Sequence, residues 1–490
     1  MARVYFDTNV FSNLRANKDA KFQELNNLLK IYQLKLSFYF SIAHIRDKRK
    51  DSSDFKFRDF EFMEGFVGDN YLAYDPIKKR PSFYLATPLM AFNDHHPESE
   101  FSLTKNFFEP SEDDEESAKD LKSTIKTLFS SIPLQLPERS YDTLTDNQKQ
   151  LMSELIPAEK NDLNFFDMIQ SVSGFIRKIN TDTLMYKELR NMIYTGINNG
   201  GLNLNPDTDF NEALKHTAVQ KSFTDFVKDN MHTQDKSKIP FYDYYNVAYA
   251  MLDAFGISKD KLTAKNELSN MRNDGMHSYF ASYCDYFVTD DKTTILKSNA
   301  MYGLSEVKTK VVTVDEFKTL LPNLLADFDE DWDWFTKKII NDLTRAGRQF
   351  ADVIGDKTVY RLDSNHRYLD FFDAVLEVKG SNSYEVILFK GESNLLSEPS
   401  FSEQAQIINR ALVIFGNDIE GIEGFDYKEI ENGNTDTAFR KWIVGDFIYE
   451  LKVSELINKY ALVITWPEII PKSIPWYKRL LKLLIKHKVE

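Results

Sequence analysis

A single cysteine, Cys284, stands in a chain of 490 residues, so no internal disulfide can form and no zinc site can be built from cysteine. That scarcity agrees with a reducing compartment, and the residue itself is expected to serve in packing. No run approaches the roughly 18 uncharged apolar residues that a membrane helix needs. The opening Met1-Ala2-Arg3-Val4 shows neither an apolar signal region nor a small-residue cleavage site. A cytoplasmic chain with no membrane span is therefore expected. Gly-rich phosphate loops of the P-loop or dinucleotide kind are missing too, which removes any reason to expect ATP, GTP or NAD dependence. No repeat and no low-complexity segment is evident. Positive charge is in deficit: the formal net charge is −14, against a protein that coats nucleic acid by bulk electrostatics. A metal-dependent nuclease is not excluded by this, because its site is itself acidic and bound cations reverse the local field.

What is present is core material. Apolar residues make up 42 % of the chain, with 38 Phe and 24 Tyr, and the length predicts two or three compact regions. Residues 3–6 have the character of a short buried strand, and Asp7-Thr8-Asn9 suits a turn and helix cap. Phe22, Leu25, Leu28, Leu29 and Tyr32 recur at helical spacing, and Leu34 to Phe40 reads as a second strand. Strand, helix, strand predicts a parallel α/β sheet. From about residue 51 the pattern turns to aromatic-rich helical stretches and polar loops, including the acidic run Glu112 to Glu116. The α/β grammar returns with helices over Tyr244 to Phe255 and Asp274 to Tyr283 and strands over Tyr286 to Thr289 and Val307 to Val312. Thr313 and Glu316 have capping-box spacing. Strands are further expected at Ala374 to Val378, Tyr384 to Phe389 and Leu462 to Thr465. The expected organisation is a split α/β domain at 1–50 and 241–325, a mainly helical insertion at 51–240, and an α+β accessory domain at 326–490.

Four short segments carry candidate chemistry. The first strand ends in Asp7, with Asn9 two residues on, and an Asx turn or helix cap accounts for this as readily as a metal site does. After the second strand, His44 and Asp47 are three apart and share a helix face, although Asp47 has Lys48, Arg49 and Lys50 beside it as surface partners. The stretch Asp274 to Lys292 supplies the other two. Asp274 is expected near a helix start, where a carboxylate suits the dipole. The strand that follows ends in Thr289, Asp290 and Asp291 at an edge where open α/β folds place their ligands.

The order strand-Asp7-x-Asn9, an acidic position early in the helix after strand two, Asp274 seven residues before Ala281, and a closing strand-Thr289-x-Asp291 resembles the PIN domain family. Val311 to Phe317 is similar to that family's last strand and helix. The resemblance covers about residues 1–50 and 241–323 and implies a PIN-like parallel sheet flanked by helices. It implies that Asp7, Asp274 and Asp291 bind metal, with Asn9 and Thr289 as supporting polar groups. The family usually has Glu in the helix after strand two, where this chain has Asp47 preceded by His44. His277 either orients a carboxylate, touches phosphate, or is a plain core or capping histidine; Asp290 is grouped with the supporting residues. Mg²⁺ or Mn²⁺ fits such hard oxygen ligands. The implied activity is hydrolysis leaving 5′-phosphate and 3′-hydroxyl ends, on RNA before DNA. The alternative is a catalytically inactive PIN-like module that binds nucleic acid or protein in a regulatory or defence complex. The insertion and the C-terminal domain are then the expected surfaces for a protein partner or a further copy.

Two further patterns are weaker. Glu377-x-Lys379, with Asp363 upstream, resembles the core of restriction-type nucleases, but surface-facing alternation on an ordinary strand explains it better. Ser473 to Lys488 is expected to form an amphipathic, basic helix used for docking.

Overall fold

The computed structural model describes residues 1–32, 35–94, 183–197, 209–217, 219–231, 235–255, 268–325, 331–345, 347–381, 383–391, 398–426, 428–431, 438–445 and 447–465, with isolated helical positions between 146 and 175. The expected basic helix at 473–488 and the acidic run at 112–116 lie outside the described residues. The chain divides into two compact units: Met1–Leu89, Phe280–Asp290 and Glu306–Glu490 form the first, and Met90–Tyr279 and Asp291–Ser305 the second.

The first unit holds a six-stranded sheet made of β1 (Ala2–Phe6), β2 (Leu36–Ser41), β3 (Asn70–Asp75), β4 (Arg80–Leu85), β5 (Tyr286–Val288) and β6 (Lys310–Val312). Their order is β4-β3-β2-β1-β5-β6. Every neighbouring pair is parallel except the hairpin β3-β4. The sheet is thus mixed and mostly parallel, where a wholly parallel one was expected. β1 and β2 are buried along their whole length, which is why they read as continuous apolar runs rather than as alternation. The helix Thr8–Ala16 turns Val10, Phe11 and Leu14 inward, and Ala20–Tyr32 turns in Phe22, Leu25 and Leu29. Phe6 lies at the centre of this packing, edge-on to Phe38 at 5.0 Å and to Phe317 at 5.7 Å. The helix Val314–Leu320 starts on the expected capping box between Thr313 and Glu316.

The same unit contains a second sheet, antiparallel throughout: β7 (Arg348–Ile354), β8 (Lys357–Tyr368), β9 (Phe372–Lys379), β10 (Tyr384–Phe389), β11 (Arg440–Val444), β12 (Phe447–Ser454) and β13 (Lys459–Thr465). The order is β11-β12-β13-β10-β9-β8-β7. Phe335, Ile339 and Leu343 of the helix Trp332–Arg345 and Ile407, Ile408 and Ala411 of Phe401–Phe415 join its strands in one apolar core. The edge strand β7 is exposed throughout and carries a bulge between Phe350 and Asp352, a device that blunts strand addition.

Polar side chains tie the two sheets together near the start of β1. Arg3 donates to both carboxylate oxygens of Glu403, at 2.8 and 2.7 Å, and to the Glu398 carbonyl at 2.7 Å. Both side chains of that pair are fully buried. Tyr39 and Ser400 share a hydroxyl hydrogen bond of 2.8 Å, and Lys35 donates to Asp370 at 2.7 Å. Asp285 accepts the Arg3 backbone N–H at 2.8 Å. Burial pushes the Asp285 carboxyl up, but Lys390, Arg367 and Arg3 outweigh it and leave it at about 2.

In the second unit the helices Phe241–Ala254, Leu268–Ala281 and Lys292–Leu304 meet through small residues and tyrosines. Ser278 bonds the Tyr245 hydroxyl at 2.6 Å and Ser298 at 2.7 Å, while its carbonyl accepts from Tyr302 at 2.6 Å. Gly275 sits at a close approach: a Cβ there would lie 3.0 Å from the Tyr249 ring, which would have to give way. Asp253 is buried and accepts from the Tyr186 hydroxyl at 2.7 Å, with Arg190 and Lys297 beside it. The helix Leu268–Ala281 begins six residues before the expected start, so Asp274 sits mid-helix rather than in the first turn.

Candidate metal centre

Three adjacent parallel strands, β2, β1 and β5, bring their carboxyl ends to one edge of the six-stranded sheet. This edge is where open α/β sheets hold ligands, because the chain leaves each strand there into a loop or helix start. Asp7 is the first residue beyond β1. Its backbone N–H donates to the Val288 carbonyl at 3.0 Å, which ties it to the end of β5. One carboxylate oxygen caps the helix Thr8–Ala16 through a long 3.4 Å bond from the Asn9 N–H, and the other accepts the Thr289 hydroxyl at 2.8 Å. The cap and the site readings of Asp7 are therefore one geometry. Asn9 takes part through its backbone, and its residue is exposed.

β2 ends at Ser41, which caps the helix Ile42–Arg49, and Asp47 lies on the second turn of that helix. Carboxylate oxygens of Asp7 and Asp47 lie within 4.8 Å of each other. His44, one turn before Asp47, is fully buried. Its Nε2 donates to the Phe6 carbonyl at 2.8 Å, so Nδ1 is the acceptor and takes the Ser41 N–H at 3.2 Å, closing a capping box. The Tyr5 hydroxyl adds a 2.7 Å bond to Ser41 and stands 3.3 Å from the same Nδ1. His44 thus fastens the end of β1 to the end of β2 and positions the two aspartates without facing solvent. Tyr5 and Ser41 did not stand out in the sequence, where nothing separates them from other strand residues.

Thr289 completes the edge from β5, its N–H donating to the Val312 carbonyl at 3.1 Å. Asp290 is engaged elsewhere, accepting Lys21 Nζ at 3.0 Å and the Val314 N–H at 3.1 Å. In the second unit, Asp291 is exposed and caps Lys292–Leu304 through a 2.7 Å bond from the Thr294 N–H, while His277 is buried in the penultimate turn of Leu268–Ala281. The Asp7–Asp47 pair suits a hard divalent cation by donor chemistry, since both offer carboxylate oxygens and like charges so close gain from a cation between them.

The other patterns resolve differently. Glu377 does not face the surface as expected; it is fully buried on β9, accepting from the Tyr384 hydroxyl at 2.5 Å and paired with Arg348 and Lys379. Burial and these partners make it a structural carboxylate. The Asp363 side chain lies outside the described residues. Cys284 is buried, and burial pushes its thiol well up, away from nucleophilic thiolate character. Among the described residues no helix is long and apolar enough to cross a membrane. No family model, curated protein or solved structure matches the chain.

Proposed function

We propose that this chain is a metal-dependent, PIN-like nuclease that hydrolyses phosphodiester bonds, RNA in preference to DNA, leaving 5′-phosphate and 3′-hydroxyl ends. The observation that supports this reading is the meeting of Asp7 and Asp47 at the carboxyl ends of adjacent parallel strands, with Thr289 hydrogen-bonded to Asp7 from the third. The order of these residues along the chain is the one that resembles the PIN family. Asp7 and Asp47 hold Mg²⁺ or Mn²⁺, Thr289 fixes the rotamer of Asp7, and His44 locks the two strand ends. A bound divalent ion supplies Lewis-acid polarisation of a phosphoryl oxygen and a more acidic water. The sequence pattern also assigns Asp274 and Asp291 to the metal and to catalysis, with His277 in support.

The test is cleavage of a mixed panel of labelled RNA and DNA with Mg²⁺ or Mn²⁺. Asp7→Asn keeps a capping side chain, so the fold should survive. It and Asp47→Asn should each lower cleavage by about a hundredfold or more, the scale of losing one main electrostatic stabiliser. Asp274→Asn and Asp291→Asn extend the same assay. Undiminished cleavage by Asp7→Asn, or cleavage that persists in chelator, overturns the reading. Wild-type protein that binds RNA but never cuts it establishes the inactive binding module instead.

A further inference from the structure

The chain that leaves Asp47 is locally basic within an acidic protein. Between residues 46 and 58 it carries Arg46, Lys48, Arg49, Lys50, Lys56 and Arg58 against three aspartates. In the same stretch two large rings face outward: Phe55 is 56 % exposed and Phe57 is 42 % exposed. Both lie in the first turn of the helix Phe55–Val67, two residues apart, so they flank on either side the face that buries Phe60, Met63 and Val67. Each outward ring has a cation over it, Arg58 at 5.5 Å from the Phe55 centroid and Lys56 at 5.5 Å from that of Phe57. Two exposed aromatic rings, each with a cation beside it in a net-positive stretch, combine the two groups that single-strand binding uses: ring faces for bases to stack on and charges for phosphates.

The surface is held in place relative to Asp47. Asp59, one turn into the same helix, accepts Lys48 Nζ at 2.5 Å and pairs with Arg15, so the helices that start at Phe55, Ile42 and Thr8 are pinned to one carboxylate. Lys48 also donates to Ser12 at 2.8 Å. The short link between the helices is braced by Asp51, which accepts from both the Ser53 N–H and hydroxyl, at 2.8 and 2.6 Å. An aromatic and basic surface is therefore one short link beyond the helix that carries Asp47.

We infer that Phe55, Phe57 and the cations around them form the single-strand track of the Asp7–Asp47 site, binding unpaired nucleic acid by base stacking and phosphate pairing. The inference rests on the nuclease reading for what the track serves, but its binding chemistry is testable apart from cleavage. Stacking asks for unpaired bases, so a duplex of the same sequence should bind more weakly. A protein partner would use the same rings but would show no preference between strand states.

The experiment measures anisotropy of fluorescent single-stranded and duplex RNA and DNA oligonucleotides with the full chain in an Asp7→Asn background, across a salt series. Phe55→Ala with Phe57→Ala should weaken single-strand binding by about tenfold or more, with the salt slope kept. Arg49→Ala with Arg58→Ala should weaken it too, while flattening the salt slope by roughly 0.7 for each phosphate no longer neutralised. Retained single-strand affinity in both folded variants, checked by circular dichroism, overturns the track. Equal losses on duplex and single strand also overturn it, as does a background protein that binds no oligonucleotide. Cleavage by the wild-type chain, run beside these, separates the outcomes: loss of binding in the variants with no cleavage anywhere retires the nuclease reading and keeps the track.

Discussion

The two ends of β1, four residues apart, handle charge in opposite ways. At its start Arg3 sits fully buried against Glu403 of the helix Phe401–Phe415, so opposite charges meet there, and Asp285 takes the Arg3 N–H. At its end Asp7 stands within 4.8 Å of Asp47, like beside like. Burying an ion pair costs desolvation that close pairing only about recovers, so the first arrangement fixes which surfaces dock rather than adding much stability. Keeping two carboxylates together costs folding energy with no such return from within the pair. Natural sequences accept a local cost of that kind where a ligand offsets it.

This contrast gives its largest expected effect in stability. Arg3→Ala leaves Glu403 buried with its main partner gone and should cost about 3–5 kcal/mol in urea unfolding, whereas the joint change Arg3→Met with Glu403→Leu should be far milder. Asp7→Asn, at the other end of the same strand, should be neutral or stabilising in metal-free buffer, because it removes a like charge and keeps the cap. Equal destabilisation by Arg3→Ala and Asp7→Asn would erase the difference between the two ends.

A divalent cation widens that difference. Mn²⁺ at about a hundred times its dissociation constant should stabilise the wild-type chain by about 2.7 kcal/mol, read as a rise in Tm, and should stabilise Asp7→Asn by about 1.4 kcal/mol at most.

The smallest effect is in acid. The Asp285 carboxyl is depressed to about 2 in the folded chain against roughly 3.9 unfolded, so its contribution is complete above about pH 4 and drains away as pH falls towards 2. Glu403, lowered by Arg3 despite the opposing effect of burial, acts with the same sign. Asp285→Asn should flatten the acid limb of the stability curve in that window; an unchanged limb would show that Asp285 plays no part in it.

Much of the first sheet was readable because its strands declare themselves locally. Val4 to Phe6, Leu36 to Phe40 and Tyr286 to Val288 are short apolar runs ending in polar residues, and Thr313 with Glu316 marks a helix start without tertiary help. β3 and β4 were not singled out. Pro81 argues against a strand, and it is tolerated because β4 is the edge of the sheet. β7 offers no buried face whose alternation could reveal it. For the site, the residue types at Asp7, Asp47 and Thr289 were legible, since each follows a strand. Their meeting was not, because Thr289 lies 282 positions beyond the Asp7 it bonds. The role of His44 was likewise hidden: nothing in its spacing from Asp47 shows that its ring reaches the Phe6 carbonyl.

The claim that the carboxyl end of β1 is a cation site is tested most directly by titrating Mn²⁺ into the metal-free chain in a calorimeter, with Asp7→Asn and Asp47→Asn titrated alongside. Saturable binding to the wild type that is lost or weakened at least tenfold in both variants is the predicted result. Binding of equal strength in all three proteins, or none in the wild type, would contradict it.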